Sequence, residues 1–173
     1  MKFNDISDKL NTIRAVCKST LFCQEYEKLG LDQTECCNKA SDMAAELWGF
    51  SKKDCRLSAG WHEYDFSDYT EIEINANGTS GRNFIRIARS PLYYAVSFSF
   101  SFKYSGCDFP ISIWNVEQFF NKDSAIEFGF DTFNILCDKF CSEPDRSVVK
   151  YLIKASLILK EKYCPVQMSF DLF

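Results

Sequence analysis

Residues 93–104 read YYAVSFSFSFKY, and large apolar residues alternate with small or polar ones over most of this stretch. Such alternation is typical of a β-strand with one buried face. Full burial of Phe98, Phe100, Phe102 and Tyr104 would contribute roughly 6–12 kcal/mol, at about 1.5–3 kcal/mol for each side chain. That gain is comparable with the whole stability of a domain, about 5–15 kcal/mol. The stretch therefore predicts the central strand of the core.

An aromatic platform for nucleic acid is the alternative function of this strand. Such a platform needs basic residues between its aromatic side chains. Here the intervening residues are Ser97, Ser99 and Ser101, and only Lys103 is basic. The net charge of −4 and a pI near 5.1 also argue against a general attraction to phosphate backbones. Direct nucleic-acid binding is therefore not expected.

The preceding sequence FIRIARS predicts a second strand, joined to the first by a turn at Ser90-Pro91. If Ser90 and Tyr93 flank the turn, Ile87 pairs with Val96, and Arg86 lies on the opposite face with the serines. A slip of one residue would place isoleucine against serine. The apolar pattern therefore selects this register.

The order of the elements predicts an α+β fold, an antiparallel three- to four-stranded β-meander with N-terminal and C-terminal helices packed on one face. A strand from Glu63 to Ile74 completes three strands, and Phe109 to Trp114 is the candidate fourth. We expect a single domain over residues 1–173. Its predicted parts are a helical layer (1–60), the sheet (61–114), further helices (115–164) and a C-terminal tail (165–173).

Periodicity of three to four residues predicts helices on both sides of the sheet. The first two run from Asp5 to Gly30 and from Asp32 to Gly49, and Ser51–Leu57 is a candidate for one further turn. After Asn115 a short helical piece contains Val116 and Phe119. The long helices that follow start near Asp123 and, beyond Pro144, at Asp145 or Ser147.

Cysteine usage and the N-terminus predict a cytoplasmic protein. The first ten residues, MKFNDISDKL, contain no apolar stretch typical of a signal peptide, and no membrane span is expected. Nine cysteines at irregular spacings indicate reduced thiols rather than a disulfide framework. We expect most of them to serve as small core side chains.

Few residues suggest catalysis or metal binding. His62 is the single histidine, which excludes a site built from several histidines. The close cysteine pairs, Cys36-Cys37, Cys137/Cys141 and Cys17/Cys23, lack the spacing of a zinc finger. No phosphate-binding or nucleophile motif occurs. No metal or cofactor is therefore expected, and an enzyme in which a cysteine is activated by His62 is left as a third alternative.

Two charged surfaces are candidate binding sites. Alternation places four carboxylates on the face of the sheet that also carries Arg86, and we call them the acidic row: Glu63, Asp65, Glu71 and Glu73. This row could dock a basic protein surface, such as the nucleic-acid channel of a nuclease. On the last helix a basic stripe lies at four-residue spacing, consisting of Arg146, Lys150 and Lys154. It is either a solvated face or a contact for phosphate or an acidic protein.

The chain ends in QMSFDLF, an amphipathic peptide. It resembles the short sliding-clamp-binding peptides of bacterial replication and repair proteins, which follow Q-L-x-L-x-L or Q-L-[SD]-L-F. Met168 and Phe170 stand where that family usually has leucine. The resemblance implies that the tail enters a groove on a clamp, with these contact residues: Gln167, Met168, Phe170, Leu172 and Phe173. Alternatively, the tail packs on the body as an edge strand.

Together these features predict a small non-enzymatic protein that acts by binding another protein. The leading hypothesis is a stoichiometric inhibitor of the anti-CRISPR, anti-restriction or toxin-immunity type, which blocks a basic nucleic-acid-binding surface of a nuclease or nucleoprotein complex. The runner-up is a replication or repair accessory factor tethered to a sliding clamp. The inhibitor hypothesis is an analogy drawn from size and the lack of catalytic motifs.

Overall fold

The computed structural model describes residues 33–115 and 117–165. The predicted helix from Asp5 to Gly30 and the tail from Val166 onward lie outside the described residues, as does Val116. None of the described helices is both long enough and apolar enough to span a membrane.

The described part of the chain contains three α-helices and six β-strands. In chain order they are α1 (Gln33–Leu47), β1 (Cys55–Ser58), β2 (Trp61–Tyr64), β3 (Ser67–Glu73), β4 (Phe84–Arg89), β5 (Tyr94–Ser101), β6 (Gly106–Phe109), α2 (Lys122–Phe140) and α3 (Arg146–Tyr163). Short 3-10 turns at Lys52–Asp54 and Glu143–Asp145 precede β1 and α3.

The strands form two antiparallel sheets. β1 and β2 make a two-stranded sheet, and the other four strands make a sheet in the order β3-β4-β5-β6. With a helix before the strands and two helices after them, the predicted α+β class is confirmed. The predicted turn is also present, because the Ser90 N–H donates to Tyr93 O at 2.8 Å.

The described residues fall into two compact units. The first contains the residues up to Tyr69 together with Ala88–Ala95 and Ile111–Phe120. The second contains Thr70–Ile87, Val96–Pro110 and the described residues from Asn121 onward. The single domain predicted from the sequence stays a prediction.

The aromatic row of β5 lies in the core of the second unit. Phe98, Phe100 and Phe102 are almost completely buried, as the alternation predicts. The ring of Phe100 packs edge-on against Phe133 of α2, with 6.0 Å between the centroids. Tyr104 differs from the prediction and is 64% exposed. β5 ends at Ser101, so Tyr104 lies in the following turn and outside the alternation.

The core of the first unit is built around Trp48, which directly follows α1. Its ring is fully buried and packs edge-on against Phe66 at 5.1 Å between centroids. The indole N–H donates to Ile113 O at 2.8 Å, which satisfies a polar group inside the core. Ala88 and Ala95 belong to the same buried cluster. Both alanines lie on the face of the sheet that the sequence predicts to be open to water. At Ala88 and Ala95 this face is therefore buried instead.

The predicted strand from Glu63 to Ile74 is wrong as a single element. The chain leaves β2 after Tyr64, and β3 begins only at Ser67. The two strands belong to different sheets. Asp68 adopts φ 50°, a left-handed conformation rare outside glycine, near the start of the second strand. The acidic row is therefore divided: Glu63 lies in the two-stranded sheet, Glu71 and Glu73 lie in the four-stranded sheet, and Asp65 lies between the strands.

Three smaller predictions also need correction. Ser51–Leu57 contains a 3-10 turn and then β1, rather than one helical turn. The fourth strand of the larger sheet is β6 at Gly106–Phe109, not Phe109–Trp114. Phe119 forms an isolated antiparallel bridge with Tyr94 instead of belonging to a helical piece.

Candidate functional site

The first half of the acidic row faces an arginine on the neighbouring strand. Arg56 lies opposite Glu63 in the β1–β2 ladder, and its guanidinium reaches the Glu63 carboxylate at 2.7 Å. The same guanidinium lies 3.5 Å from Asp65. Exposed pairs of this kind contribute little stability, about 0–1 kcal/mol. They do lower the net negative charge that the row offers to a partner.

The second half of the row is also paired with arginines of the same chain. Glu71 accepts hydrogen bonds from Arg82 and from Arg86, the latter at 2.7 Å. Arg86 also lies 4.7 Å from the centroid of the Phe84 ring. The hydrogen bond from Arg86 is the main reason that the pKa of Glu71 lies below its usual range. Glu73 is less tightly held, at 3.7 Å from Arg82.

Among the described residues, the basic stripe on α3 is paired at one end only. Arg146 forms ion pairs with Asp138 and Glu143, both at 3.3 Å. Lys150 and Lys154 are exposed and have no carboxylate within ion-pair distance among the described residues. The free positive charge of the stripe is therefore concentrated at these two lysines.

One of these lysines lines a groove, which we call the α3 groove. Its volume is about 780 Å³, and it lies between the loop at residues 75–77 and four residues of α3. The α3 residues that line it are Tyr151, Lys154, Ala155 and Ile158. Tyr151 is 63% exposed and Ile158 is 60% exposed. The groove thus combines two large apolar side chains with the positive charge of Lys154, which forms no ion pair within the described part of the chain.

The loop that forms the other wall of the α3 groove is fixed by a glycine. Gly78 has φ +90°, and a Cβ atom at this position would lie 3.1 Å from Val148 Cγ2 of α3. A side chain there would be both strained and crowded. The absence of a side chain therefore lets the loop approach α3 closely.

A second feature is a cluster of polar side chains between α1 and the β1–β2 hairpin, which we call the Asp42 cluster: Asp42, Cys55, His62 and Tyr64. The hairpin register pairs Cys55 with Tyr64 and Leu57 with His62. Directly opposed residues share a face, and so do residues two apart on one strand. Cys55, His62 and Tyr64 therefore project from the same face of the hairpin, toward Asp42 of α1.

Short hydrogen bonds hold the cluster together. One oxygen of Asp42 lies 2.6 Å from His62 Nδ1 and accepts a hydrogen bond of 2.6 Å from the Tyr64 hydroxyl. One turn earlier on α1, Asn38 accepts a hydrogen bond from the His62 backbone N–H and donates another to Gly60 O, each at 2.8 Å. Helix α1 thus positions the strand entrance that carries His62.

The environment of the Asp42 cluster is partly desolvated. The side chains of Asp42 and His62 are 20% and 30% exposed. Burial raises the pKa of Tyr64 well above its usual range, and its contacts with Asp42 and Cys55 act in the same direction. Tyr64 therefore stays protonated and serves as a hydrogen-bond donor.

The described cysteines divide by burial. Of the seven in the described ranges, Cys36 and Cys137 are buried and the other five are partly exposed. Burial raises the pKa of the Cys137 thiol far above its usual range, so this residue is an unreactive core side chain. Only these two of the seven described cysteines are buried, and Cys55 packs against the core of the first unit while partly exposed. The expected core role therefore holds for a minority of the described cysteines.

Sequence reasoning singled out His62 but not Asp42 or Cys55 as its neighbours. Asp42 and Asn38 occupy polar positions of an amphipathic helix, where solvent exposure is the ordinary expectation. The signal that could have identified Cys55 is the hairpin Cys55–Tyr64 around Ala59-Gly60, since its register places Cys55 and His62 on one face. The predicted tail contacts lie outside the described residues.

Comparison with known proteins gives no relative: no family model matches the chain, and no match is found among curated proteins or solved structures.

Proposed function

We propose that this protein binds a partner protein through the α3 groove, and that the partner contributes an acidic segment with apolar anchor residues. Protein binding is also the functional class that the sequence predicts. The observation that carries the proposal is the exposure of Tyr151 and Ile158 beside Lys154 in a groove of about 780 Å³.

The apolar side chains would supply most of the affinity. Burying a large apolar side chain contributes about 1.5–3 kcal/mol, and tyrosine is among the residues most often dominant in protein interfaces. Tyr151 and Ile158 lie seven residues apart on α3, so both project from the same side of the helix. A partner segment with two apolar residues can therefore contact both at once.

The positive charge of the lysines would favour a negatively charged partner segment. Lys150 and Lys154 form no ion pair with the described residues, so an acidic partner would not need to displace one there. Opposite charges speed association and fix the orientation of the complex. A basic segment would meet like charge at the same place.

The nuclease-inhibitor hypothesis stays a prediction and gains less support from the geometry. It requires an acidic surface, whereas the four carboxylates of the acidic row lie against Arg56, Arg82 and Arg86. The sliding-clamp hypothesis rests on the tail and also stays a prediction.

Peptide selection tests the proposal even though the partner is unidentified. Random peptides displayed on phage are selected on the immobilised full chain, and the affinities of synthetic copies are measured by fluorescence anisotropy. We expect selected peptides rich in Asp and Glu around apolar residues. Tyr151→Ala should weaken binding by about 30-fold, since a dominant interface residue contributes about 2 kcal/mol or more. Lys154→Glu should weaken it more at low salt than at high salt.

Matched controls change the same residue types elsewhere. Tyr104→Ala removes an equally exposed tyrosine, and Lys52→Glu reverses an exposed lysine outside the groove. Both should keep the parent affinity. Selected peptides without acidic residues, or unchanged affinity in Tyr151→Ala, would contradict the proposal. If the peptides bound only after deletion of residues 166–173, the groove would be a binding site for the chain's own terminus. This outcome would also overturn the proposal.

A further inference from the structure

The Asp42 cluster contains three different metal-ligand atoms at close range. A carboxylate oxygen of Asp42, the Cys55 sulfur and a ring nitrogen of His62 all lie within 4.8 Å of one another, and each residue is partly buried. Zinc is the common protein metal that accepts oxygen, sulfur and nitrogen ligands together. Calcium and magnesium prefer oxygen ligands alone, so a thiol and an imidazole disfavour them.

Only small movements would bring these atoms to zinc-binding distances. With bonds of about 2.0–2.3 Å and tetrahedral angles, the ligand atoms of a zinc site lie about 3.3–3.7 Å apart. Asp42 and His62 are closer than this, at 2.6 Å, and would separate by about 1 Å to admit the ion. The Cys55 sulfur would move by a similar amount at most. Rotation of side chains suffices for shifts of this size.

Hydrogen bonds around the cluster already restrain two of the three ligands. Asn38 holds the backbone of His62 against α1, and the Tyr64 hydroxyl donates to Asp42. Such outer contacts orient metal ligands, and their loss typically costs about 10- to 100-fold in affinity. Three protein ligands leave a fourth position of the tetrahedron open for a water molecule.

We propose that Asp42, Cys55 and His62 form a zinc-binding site. This inference is independent of the α3 groove. On binding, Cys55 would lose its thiol proton to solvent and coordinate as the thiolate. A role of Cys55 as a nucleophile, the third alternative above, stays a prediction.

Cobalt(II) replaces zinc in such sites and provides a spectroscopic test. The reduced, chelator-treated full chain is titrated with cobalt(II), and the sulfur-to-cobalt charge-transfer band in the near ultraviolet is followed. We expect one equivalent to produce the band and zinc to abolish it. Cys55→Ser should lose the band, whereas Cys107→Ser, which removes a partly exposed thiol on β6, should keep it.

Two further variants keep the test valid if Cys55→Ser fails to fold, which far-ultraviolet circular dichroism would reveal. Asp42→Asn and His62→Gln should each weaken zinc affinity by more than about 100-fold, a loss greater than that of an outer contact. Zinc should raise the Tm of the parent protein but not of these variants. An unaltered band in Cys55→Ser, parent affinity in Asp42→Asn, or no zinc binding by the parent protein would each overturn the proposal.

Discussion

Ser105 Oγ donates a hydrogen bond to Asp145 Oδ2 at 2.7 Å, and this contact joins the turn after β5 to the turn before α3. Asp145 is fully buried and also accepts hydrogen bonds from Ser142 Oγ and the Tyr104 backbone N–H. Burial by itself would raise the pKa of Asp145, but the bonds from Ser142, Ser105 and the backbone outweigh it and hold the pKa below its usual range. The ionised carboxylate is therefore the stabilising form.

We expect Asp145→Asn to lower the free energy of unfolding at neutral pH. A neutral amide cannot accept charge-assisted bonds from two hydroxyls and a backbone N–H at once. The folded pKa of Asp145 is below the unfolded value of about 3.9. The contribution of Asp145 to the free energy of unfolding is thus fully present above the unfolded pKa, and it is lost as the pH falls through the folded pKa. Urea denaturation between about pH 3 and 7 measures this dependence.

Asp138→Asn is the control for Asp145→Asn, because the Asp138 side chain is 69% exposed and forms an ion pair with Arg146 at the surface. The free energy of unfolding of the Asp138→Asn variant should follow that of the parent protein closely across the pH range. If Asp145→Asn and the parent protein lost stability in parallel on acidification, the buried carboxylate would not be the stabilising group.

A second prediction concerns the contact between α2 and the sheet at Gly129. A Cβ atom at this position would lie 2.7 Å from Ile85 Cγ2 and 3.4 Å from Val96 Cγ1. Alanine is the better helix former by about 0.8–1 kcal/mol, but forcing atoms into a packed core typically costs about 1–3 kcal/mol. Both Ile85 and Val96 are buried, so the cost of crowding should exceed the gain in helix propensity.

Gly129→Ala should therefore lower the free energy of unfolding by up to about 2 kcal/mol, the crowding cost less the helix gain. Thermal and chemical denaturation provide the measurement. Glu127→Ala, at an exposed position of the same helix, should change stability by less than about 0.5 kcal/mol. A stabilised Gly129→Ala would mean that the helix moves away from Ile85 at little cost.

The core of the second unit could be predicted because each of its elements has a clear period. Phe98 and Phe100 alternate with serines, and Phe130 and Phe133 of α2 lie three residues apart on one helix face. Burial of such side chains dominates the energy of folding, so the pattern alone identifies the facing elements.

The division between β2 and β3 could not be predicted, for a physical reason. Tyr64 and Phe66 are both buried, and Ile72 and Ile74 are buried in the same phase. The alternation therefore continues across the boundary between the two strands, and only the backbone near this boundary, such as Asp68 at φ 50° near the start of β3, reveals the change of sheet.

The Asp42 cluster illustrates a second limit of sequence reasoning. His62 and Cys55 come together within one hairpin, and the register of a hairpin can be predicted from its sequence. Asp42 joins them only because α1 packs on β2, and helix packing depends on shape complementarity among many side chains. Charged residues on the polar side of a helix carry no sequence signal for this contact.

The last prediction separates the structural and binding roles of the acidic row. Glu71 is held by two arginines and its side chain is 25% exposed, whereas the Glu73 side chain is 45% exposed and 3.7 Å from Arg82. Glu71→Lys would place a third positive charge beside Arg82 and Arg86. It should lower the free energy of unfolding by about 1 kcal/mol or more, whereas Glu73→Lys should cost less than about 0.5 kcal/mol. Chemical denaturation at low and high salt measures both effects.

This difference makes Glu73→Lys, and not Glu71→Lys, the suitable test of a basic partner for the row. If a basic surface docks there, Glu73→Lys should weaken the complex while the fold stays intact. Glu71→Gln keeps the shape of the side chain but removes its charge, so it reports on stability alone. It should recover most of the free energy of unfolding that Glu71→Lys loses. Equal stability of Glu71→Lys and the parent protein at low salt would contradict the pairing of Glu71 with Arg86 as the reason for its lowered pKa.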